Sequence, residues 1–278
     1  MRAAPNRSSN TWRQTVRLSP PTLLTALITP RTKAVIAVHL YGHPVDLDPV
    51  LRICRDNCLF LVEDAAEAHG AEYKSKRLGG IGDVACFSFY GNKVITTGEG
   101  GMVVTDDDDL ARKARQIKGQ GQDPTRRYWF PVLGYNYRMT NIAAAIGLAQ
   151  LECIGWHLER RRQIARWYRE FLGDNDVVAL SPEMPWAKSA FWMNSVVLSS
   201  EFPRERDQVM ARMTEAGVET RPFFYPMHTL PMYHDPSGGS SFPVAEGLAA
   251  RGINLPSSAD LTREEVEFVC RSLAKLAT

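Results

Sequence analysis

The hydrophobic pattern along the chain alternates between two kinds of segment. KAVIAVHLY, Lys33 to Tyr41, and Leu59 to Glu63 are apolar, β-branched runs of strand length, and between them DLDPVLRICRDNC repeats its apolar residues at helical spacing. This is the pattern of a β-α-β unit, whose right-handed crossover makes its two strands parallel. Val84–Phe89 and Gly101–Thr105 predict two more strands, and Asp106–Lys118 predicts a helix capped by Thr105 or Asp106, with acids in its first turn. From Thr140 to Leu172 the pattern is helical throughout, with a break or bend expected at Gly155. Beyond it, SPEMPW predicts a loop, Phe191–Leu198 a strand, and Arg206–Ala216 and Thr262–Ala277 helices, with the Pro/Gly/Ser-rich stretch from Pro231 to Pro243 a loop. The expected organisation is an N-terminal segment over residues 1–30, an α/β domain over 31–155, and an interdomain helix with a small α+β domain over 156–278.

Composition narrows the classes. The chain has 278 residues, 44% hydrophobic and 23% charged, which suits a soluble folded protein with one large core or two smaller ones. Its 33 basic and 31 acidic residues leave a formal charge of +2, too balanced for the electrostatic footprint of nucleic-acid binding. Five cysteines with no paired framework suit free thiols in a reducing compartment, and Cys54 reads as core. The N-terminal stretch carries Arg2, Arg7, Arg13 and Arg17 and no apolar run long enough for a signal peptide or membrane span. Its Arg and Ser enrichment is superficially that of an organelle transit peptide, but the cytoplasm is the default expectation.

The candidate chemistry lies between Val62 and Gly101. Asp64 follows one predicted strand, Ser88 ends another, and Lys93 comes five residues later in a Gly-bearing turn, so all three should face the carboxyl rim of the sheet, where open α/β sheets bind ligands. An acid, a hydroxyl and an amine together could hold a cofactor with a basic ring nitrogen, a phosphate and an aldehyde, and pyridoxal phosphate has those handles. Taken singly each residue also has an ordinary role: a solvated lysine, a strand-end aspartate in a turn, a serine filling a strand. Other sets are weaker. His39, His43 and His69 lack a completing Cys or carboxylate for a metal, Asp106–Asp109 lacks the alternation of a calcium loop, and Arg160–Arg162 read as a solvated helix face.

Four blocks in order, VEDAAEAHGA, GDVACFSFYGNKVITTGEGGMV, GYNYRMTNIAAAIGLAQL and ETRPFFYPMH, closely resemble the DegT/DnrJ/StrS family of nucleotide-sugar aminotransferases, above all its perosamine-forming branch. The resemblance runs from about Thr11 to the C-terminus. It implies an aspartate-aminotransferase-like α/β fold (fold type I), a homodimer with shared active sites, and pyridoxal 5'-phosphate held by Lys93, with Asp64 at the ring nitrogen and Ser88 at the phosphate. Asn136 matches the asparagine that reaches the phosphate of the neighbouring subunit, and Glu67 matches a variable position near the ring. Arg221, Tyr225 and His228 resemble the segment lining the sugar-nucleotide pocket, although an aromatic-rich strand is more often plain core. The implied reaction moves an amino group from a donor, glutamate by expectation, to a 4-keto-6-deoxy sugar nucleotide. Lys93 separates the chain from related dehydratases, in which histidine replaces that lysine.

The sequence lacks a counterpart of the family's N-terminal Gly-Thr-rich phosphate turn and ring-stacking aromatic, so the large domain is expected to be incomplete and cofactor binding weak. The competing readings are a truncated, non-catalytic remnant or pseudoenzyme that dimerises with a full-length paralogue, and a pyridoxal enzyme of another reaction type.

Overall fold

The computed structural model describes residues 21–173, 175–234 and 241–277. The Arg-rich N-terminal stretch and residues 235–240 of the Pro231–Pro243 loop lie outside these. Two compact units partition the chain. The first takes in Leu18–Glu159 and Glu183–Trp192; the second takes in Arg160–Pro182 and Met193–Thr278.

In the first unit, helix α1 (Pro21–Leu27) precedes strand β1 (Ala34–Val38), helix α2 (Leu47–Asp56) and strand β2 (Phe60–Asp64), followed by a hairpin of β3 (Glu72–Tyr73) and β4 (Lys76–Arg77). Strands β5 (Val84–Ser88) and β6 (Gly101–Val104) complete a mixed sheet of order β1-β2-β5-β6, parallel from β1 to β5 and antiparallel at β6. One face buries Ala37, Leu61, Glu63 and Ala85, and α2 contributes Val50, Ile53 and Cys54 to the core, as expected for Cys54. The other face leaves Ile36, Val38 and Phe60 exposed. Helix α3 (Asp108–Lys118) follows, then α4 (Asn141–Glu152) and α5 (Ile154–Leu172), which runs on into the second unit.

Around α5 the second unit builds an antiparallel sheet from β7 (Val178–Leu180), β9 (Asn194–Leu198), β10 (Arg221–Pro222) and β11 (Gly252–Leu255), in the order β10-β11-β9-β7. Helices α6 (Arg206–Glu215), α7 (Pro243–Arg251) and α8 (Arg263–Ala274) accompany it. Ile164, Tyr168 and Leu172 of α5 share one core with Val196, Leu198, Met213, Ile253, Val266 and Leu273. Strand β8 (Ala187–Lys188) belongs to the first unit, where it pairs antiparallel with β3.

Several boundaries differ from the sequence expectation for identifiable reasons. The first strand stops at Val38, not Tyr41, because Leu40–Gly42 turns tightly with Tyr41 at φ 55° and Gly42 at φ 90°. The helix cap is Asp107, which accepts from Leu110 N–H at 2.8 Å, and not Thr105 or Asp106; the Thr105 hydroxyl is donated to the Asp83 carbonyl at 2.6 Å. The long helical stretch breaks at Cys153, two residues before Gly155, which lies inside α5. Phe191 is left-handed at φ 47°, which delays the predicted Phe191–Leu198 strand to Asn194. Arg160 and Arg161 do not form a solvated face. Arg160 donates to the carbonyls of Ala259 (3.1 Å) and Leu261 (2.7 Å), and buried Arg161 donates to that of Ser257 (3.0 Å), fastening the 257–261 loop to α5. Of the aromatic-rich ETRPFFYPMH segment, only Arg221–Pro222 is strand.

Candidate active site

The carboxyl ends of the parallel strands assemble the site. Asp64 is the last residue of β2, in register with Cys86 of β5, and Ser88 ends β5 two residues further on. Since side chains alternate along a strand, Asp64 and Ser88 lie on the sheet face opposite Glu63 and Ala85. Asp64 Oδ1 accepts from Ala66 N–H at 3.1 Å, and Ser88 Oγ accepts from Tyr90 N–H at 3.3 Å, which leaves the hydroxyl proton for another acceptor.

Lys93 sits in the loop between β5 and β6. Phe89 N–H donates to the Gly100 carbonyl, Thr97 N–H to the Phe89 carbonyl and Lys93 N–H to the Tyr90 carbonyl, which closes the loop on itself. A further tie comes from α4, where Gln150 Oε1 accepts from Thr96 N–H at 2.9 Å. Lys93 Nζ stands 3.5 Å from Glu67 Oε1, and each side chain is only 12% exposed. Burial pushes the Glu67 carboxyl up, against the Tyr41 N–H and the Lys93 ammonium, which pull it down. The ammonium also lies 4.0 Å from the ring centroid of Trp192.

Under the same strands lies a buried pair that sequence reasoning treated differently. Glu63 and His39 are both fully buried, with Glu63 Oε2 3.2 Å from His39 Nε2. Val45 N–H donates to His39 Nδ1 at 3.1 Å, so the imidazole proton sits on Nε2 and is donated to Glu63. The Glu63 carboxylate also accepts from the amides of Gly79 (3.0 Å), Ile81 (2.8 Å) and Gly82 (2.7 Å). Burial alone would raise its pKa, but the His39 bond and those three amides hold it at about 2.

This carboxyl titrates near 4.5 in an unfolded chain and near 2 when folded. Its stabilisation is therefore complete above the unfolded value and is lost as pH falls toward 2, a contribution on the order of 3 kcal/mol. Glu63→Gln places an NH2 against amide donors and is expected to cost about that much at pH 7. It should also flatten the acid side of the stability curve. Urea melts between pH 7 and pH 3 check this, and an unchanged acid limb would refute it.

The three histidines weighed as a metal set have separate partners. His39 belongs to Glu63; His43 Nδ1 donates to the Pro44 carbonyl at 2.7 Å while its Nε2 accepts from Met184 N–H at 3.2 Å; His69 packs against Phe87 and Phe89. Among the described residues no cluster of His, Cys, Asp and Glu could hold a metal ion.

Asn136 lies on an exposed segment bridged to Gly119, where its Oδ1 accepts from Arg138 Nε at 3.2 Å, and its sequence neighbours Tyr135 and Tyr137 stack their rings on each other. Arg221, Tyr225 and His228 belong to the second unit. There Arg221 pairs with Glu219 at 3.2 Å, Tyr225 is exposed, and His228 Nε2 lies 2.9 Å from Glu246 Oε1 with its ring against Phe242. Trp192, whose ring lies under the Lys93 ammonium, and Tyr41, which stacks on Trp192, were missed by sequence reasoning. Trp192 stands in FWM at the end of a loop, a hundred residues from Asn92, and no spacing links it to the lysine.

The DegT/DnrJ/EryC1/StrS aminotransferase family model matches residues 12–274. The chain belongs to this family. It is 49% identical over 251 residues to the GDP-perosamine synthase of Caulobacter vibrioides, covering 90% of this chain and 67% of the relative. To the GDP-perosamine synthase of Escherichia coli O157:H7 it is 46% identical over 246 residues, covering 88% and 66%. The chain thus spans about two thirds of the length of these curated relatives. Among solved structures, S. venezuelae DesV superposes with a TM-score of 0.85 at 32% identity, over 92% of this chain and 68% of that one. The Helicobacter pylori aminotransferase PseC superposes at 0.87 and 27% identity, over 92% and 70%. The α/β aminotransferase fold that the sequence resemblance implied is therefore present, and the family indicates pyridoxal 5'-phosphate as cofactor.

The donor set fits that group. A carboxylate and a hydroxyl with an available proton end adjacent parallel strands, and a nearly buried amine stands in the loop that follows.

Proposed function

We propose that this chain serves pyridoxal phosphate-dependent transfer of an amino group from glutamate to a 4-keto-6-deoxy sugar nucleotide, as in perosamine synthesis for surface polysaccharide. The observation that carries the reading is the enclosure of Lys93 Nζ between Glu67 and Trp192, just past the strand ends that bear Asp64 and Ser88. The relatives named GDP-perosamine synthase favour this over a non-catalytic remnant.

When bound, the cofactor supplies an electron sink for the charge left when the amino-bearing carbon loses its proton. Lys93 Nζ is the group that takes the proton from the donor carbon and returns one during the exchange. Asp64, tethered by the Ala66 amide, would hold a proton on the ring nitrogen. Ser88 donates its hydroxyl proton to a phosphate oxygen. Glu67, fixed by Tyr41 N–H, orients the lysine and, with Trp192, limits the access of water to it. In this reading residues 31–155 form the cofactor-binding domain and 156–278 the interdomain helix and small domain. Arg221, Tyr225 and His228 contact the sugar nucleotide.

The active form is a homodimer in which Asn136 serves the neighbouring subunit's cofactor. Helix α4 supports this. NIAAAIGLAQLE is apolar from Ile142 to Ala149, Ile142 and Leu148 are 77% and 60% exposed, and a helix of that kind needs covering. The reaction belongs to the cytoplasm, where nucleotide sugars are free substrates. No described helix is long and apolar enough to cross a membrane.

The test is borohydride reduction after loading with pyridoxal phosphate, followed by peptide mass mapping. The cofactor mass is expected on Lys93 alone; its appearance elsewhere, or nowhere, would overturn the reading.

A further inference from the structure

After Glu159 the chain passes into the second unit, and it returns to the first only for the stretch Glu183–Trp192. The last residue of that return is Trp192, 3% exposed. Its indole N–H donates to the Asn92 carbonyl at 2.8 Å, and its ring face carries Lys93 Nζ at 4.0 Å. One side chain thus touches both the backbone from which Lys93 springs and the charged end of Lys93 itself.

The contacts close into a ring. The Tyr41 side chain stacks on Trp192 with centroids 6.3 Å apart and planes at 25°. Tyr41 N–H donates to Glu67 Oε2 at 2.8 Å, and Glu67 Oε1 stands 3.5 Å from Lys93 Nζ. The left-handed turn at Tyr41 and Gly42 makes this possible. A Cβ on Gly42 would approach the Ala190 Cβ, the Glu67 carbonyl and the Trp192 backbone nitrogen, each to 3.1 Å, so a side chain there would press on the backbone that carries Glu67 and Trp192.

We propose that Trp192 is a positioning residue for Lys93. A lysine stem has four rotatable bonds, and its ammonium is a point charge with no geometric preference of its own, so an unrestrained lysine samples many end positions. An indole face attracts the ammonium at one place, and the bond to Asn92 fixes where the stem begins. Tyr41 backs the indole and steers Glu67 from the other side. The result is an amine held at a fixed point before any ligand arrives. The inference rests on the reading of Lys93 as the reacting amine, and its test is made without cofactor so that the two can fail separately.

The experiment compares the full chain with Trp192→Leu and Trp192→Phe under limiting N-hydroxysuccinimide acetate. Acetylation rates are mapped by peptide mass at Lys93 and, as an internal control, at Lys74, whose side chain is 52% exposed. Leucine keeps an apolar wall but removes the ring face. It is expected to raise the Lys93 rate about tenfold, with Lys74 changed less than about twofold. Phenylalanine keeps the face and loses only the N–H, and the rise should stay under about threefold. A Lys93 rate in the leucine variant within twofold of the parent, or equal rates in the leucine and phenylalanine variants, would overturn the proposal. If the leucine variant gives no cooperative melt, Trp192→Met decides by the same thresholds. Visible absorbance after addition of pyridoxal phosphate is recorded in parallel. Its absence from every protein, parent included, would tell against the proposed function and leave the labelling to decide the role of Trp192.

Discussion

Lys93→Ala is expected to abolish amino transfer, with a rate at least four orders of magnitude below the parent, a loss of about 5 kcal/mol or more. The expectation follows from chemistry and from the chain. One primary amine is asked both to bond to the cofactor and to carry a proton, and between Lys76 and Lys113 the sequence contains no lysine except Lys93. The neighbours enclosing it, Glu67 and Trp192, offer a carboxylate and an indole, neither of which can replace an amine. Lys93→Arg is the companion variant. It keeps the positive charge and the ring contact but not a primary amine, and should be equally inactive while melting like the parent. The measurement is glutamate-dependent formation of amino sugar nucleotide by mass spectrometry. Turnover above a thousandth of the parent rate in either variant would remove Lys93 from the role given to it.

The second large effect is expected at Asp64. Asp64→Asn keeps an oxygen that can accept from Ala66 N–H, so the strand end should survive while the charge is lost. Without that charge the ring nitrogen has no anion to keep it protonated, and proton removal from the donor carbon should slow by about a thousandfold or more, on the order of 4 kcal/mol. Cofactor absorbance and kcat are measured together. Retained absorbance with a collapsed kcat supports the assignment, and a near-parental kcat refutes it.

How much of this was legible in the sequence depended on the range of the interactions involved. Short apolar runs marked β1, β2, β5 and β6 to within a few residues, because run length and side-chain type are local properties. Asp64, Ser88 and Lys93 could be placed at one rim for the same reason: a strand's end is a position in sequence. The turn at Tyr41 was hidden, since its left-handed backbone goes with a hydrogen bond from Tyr41 N–H to the Glu67 carboxylate, 26 residues on. Glu63 carried a faint signal, a charged residue at an inward position of an apolar strand, but its partners came from His39 and from a loop beyond it. Strand β11 was missed because Gly252–Leu255 is four residues long and follows a helix begun by proline, so its central place in the sheet comes from pairing with β9 and β10. Trp192 had no local signature; only the tertiary fold brings it to Lys93.

The return of Glu183–Trp192 to the first unit also governs how the chain can be divided. Among the described residues the backbone crosses between units at three places, after Glu159, after Pro182 and after Trp192. No single proteolytic nick can release either unit as one continuous piece. A recombinant fragment ending at Glu159 would forfeit β8, the strand paired with β3, and would present Lys93 without its indole. Attempts to make the first unit as a minimal domain therefore call for a relinked gene, in which a tether carries Glu159 directly to Glu183, not for a stop codon.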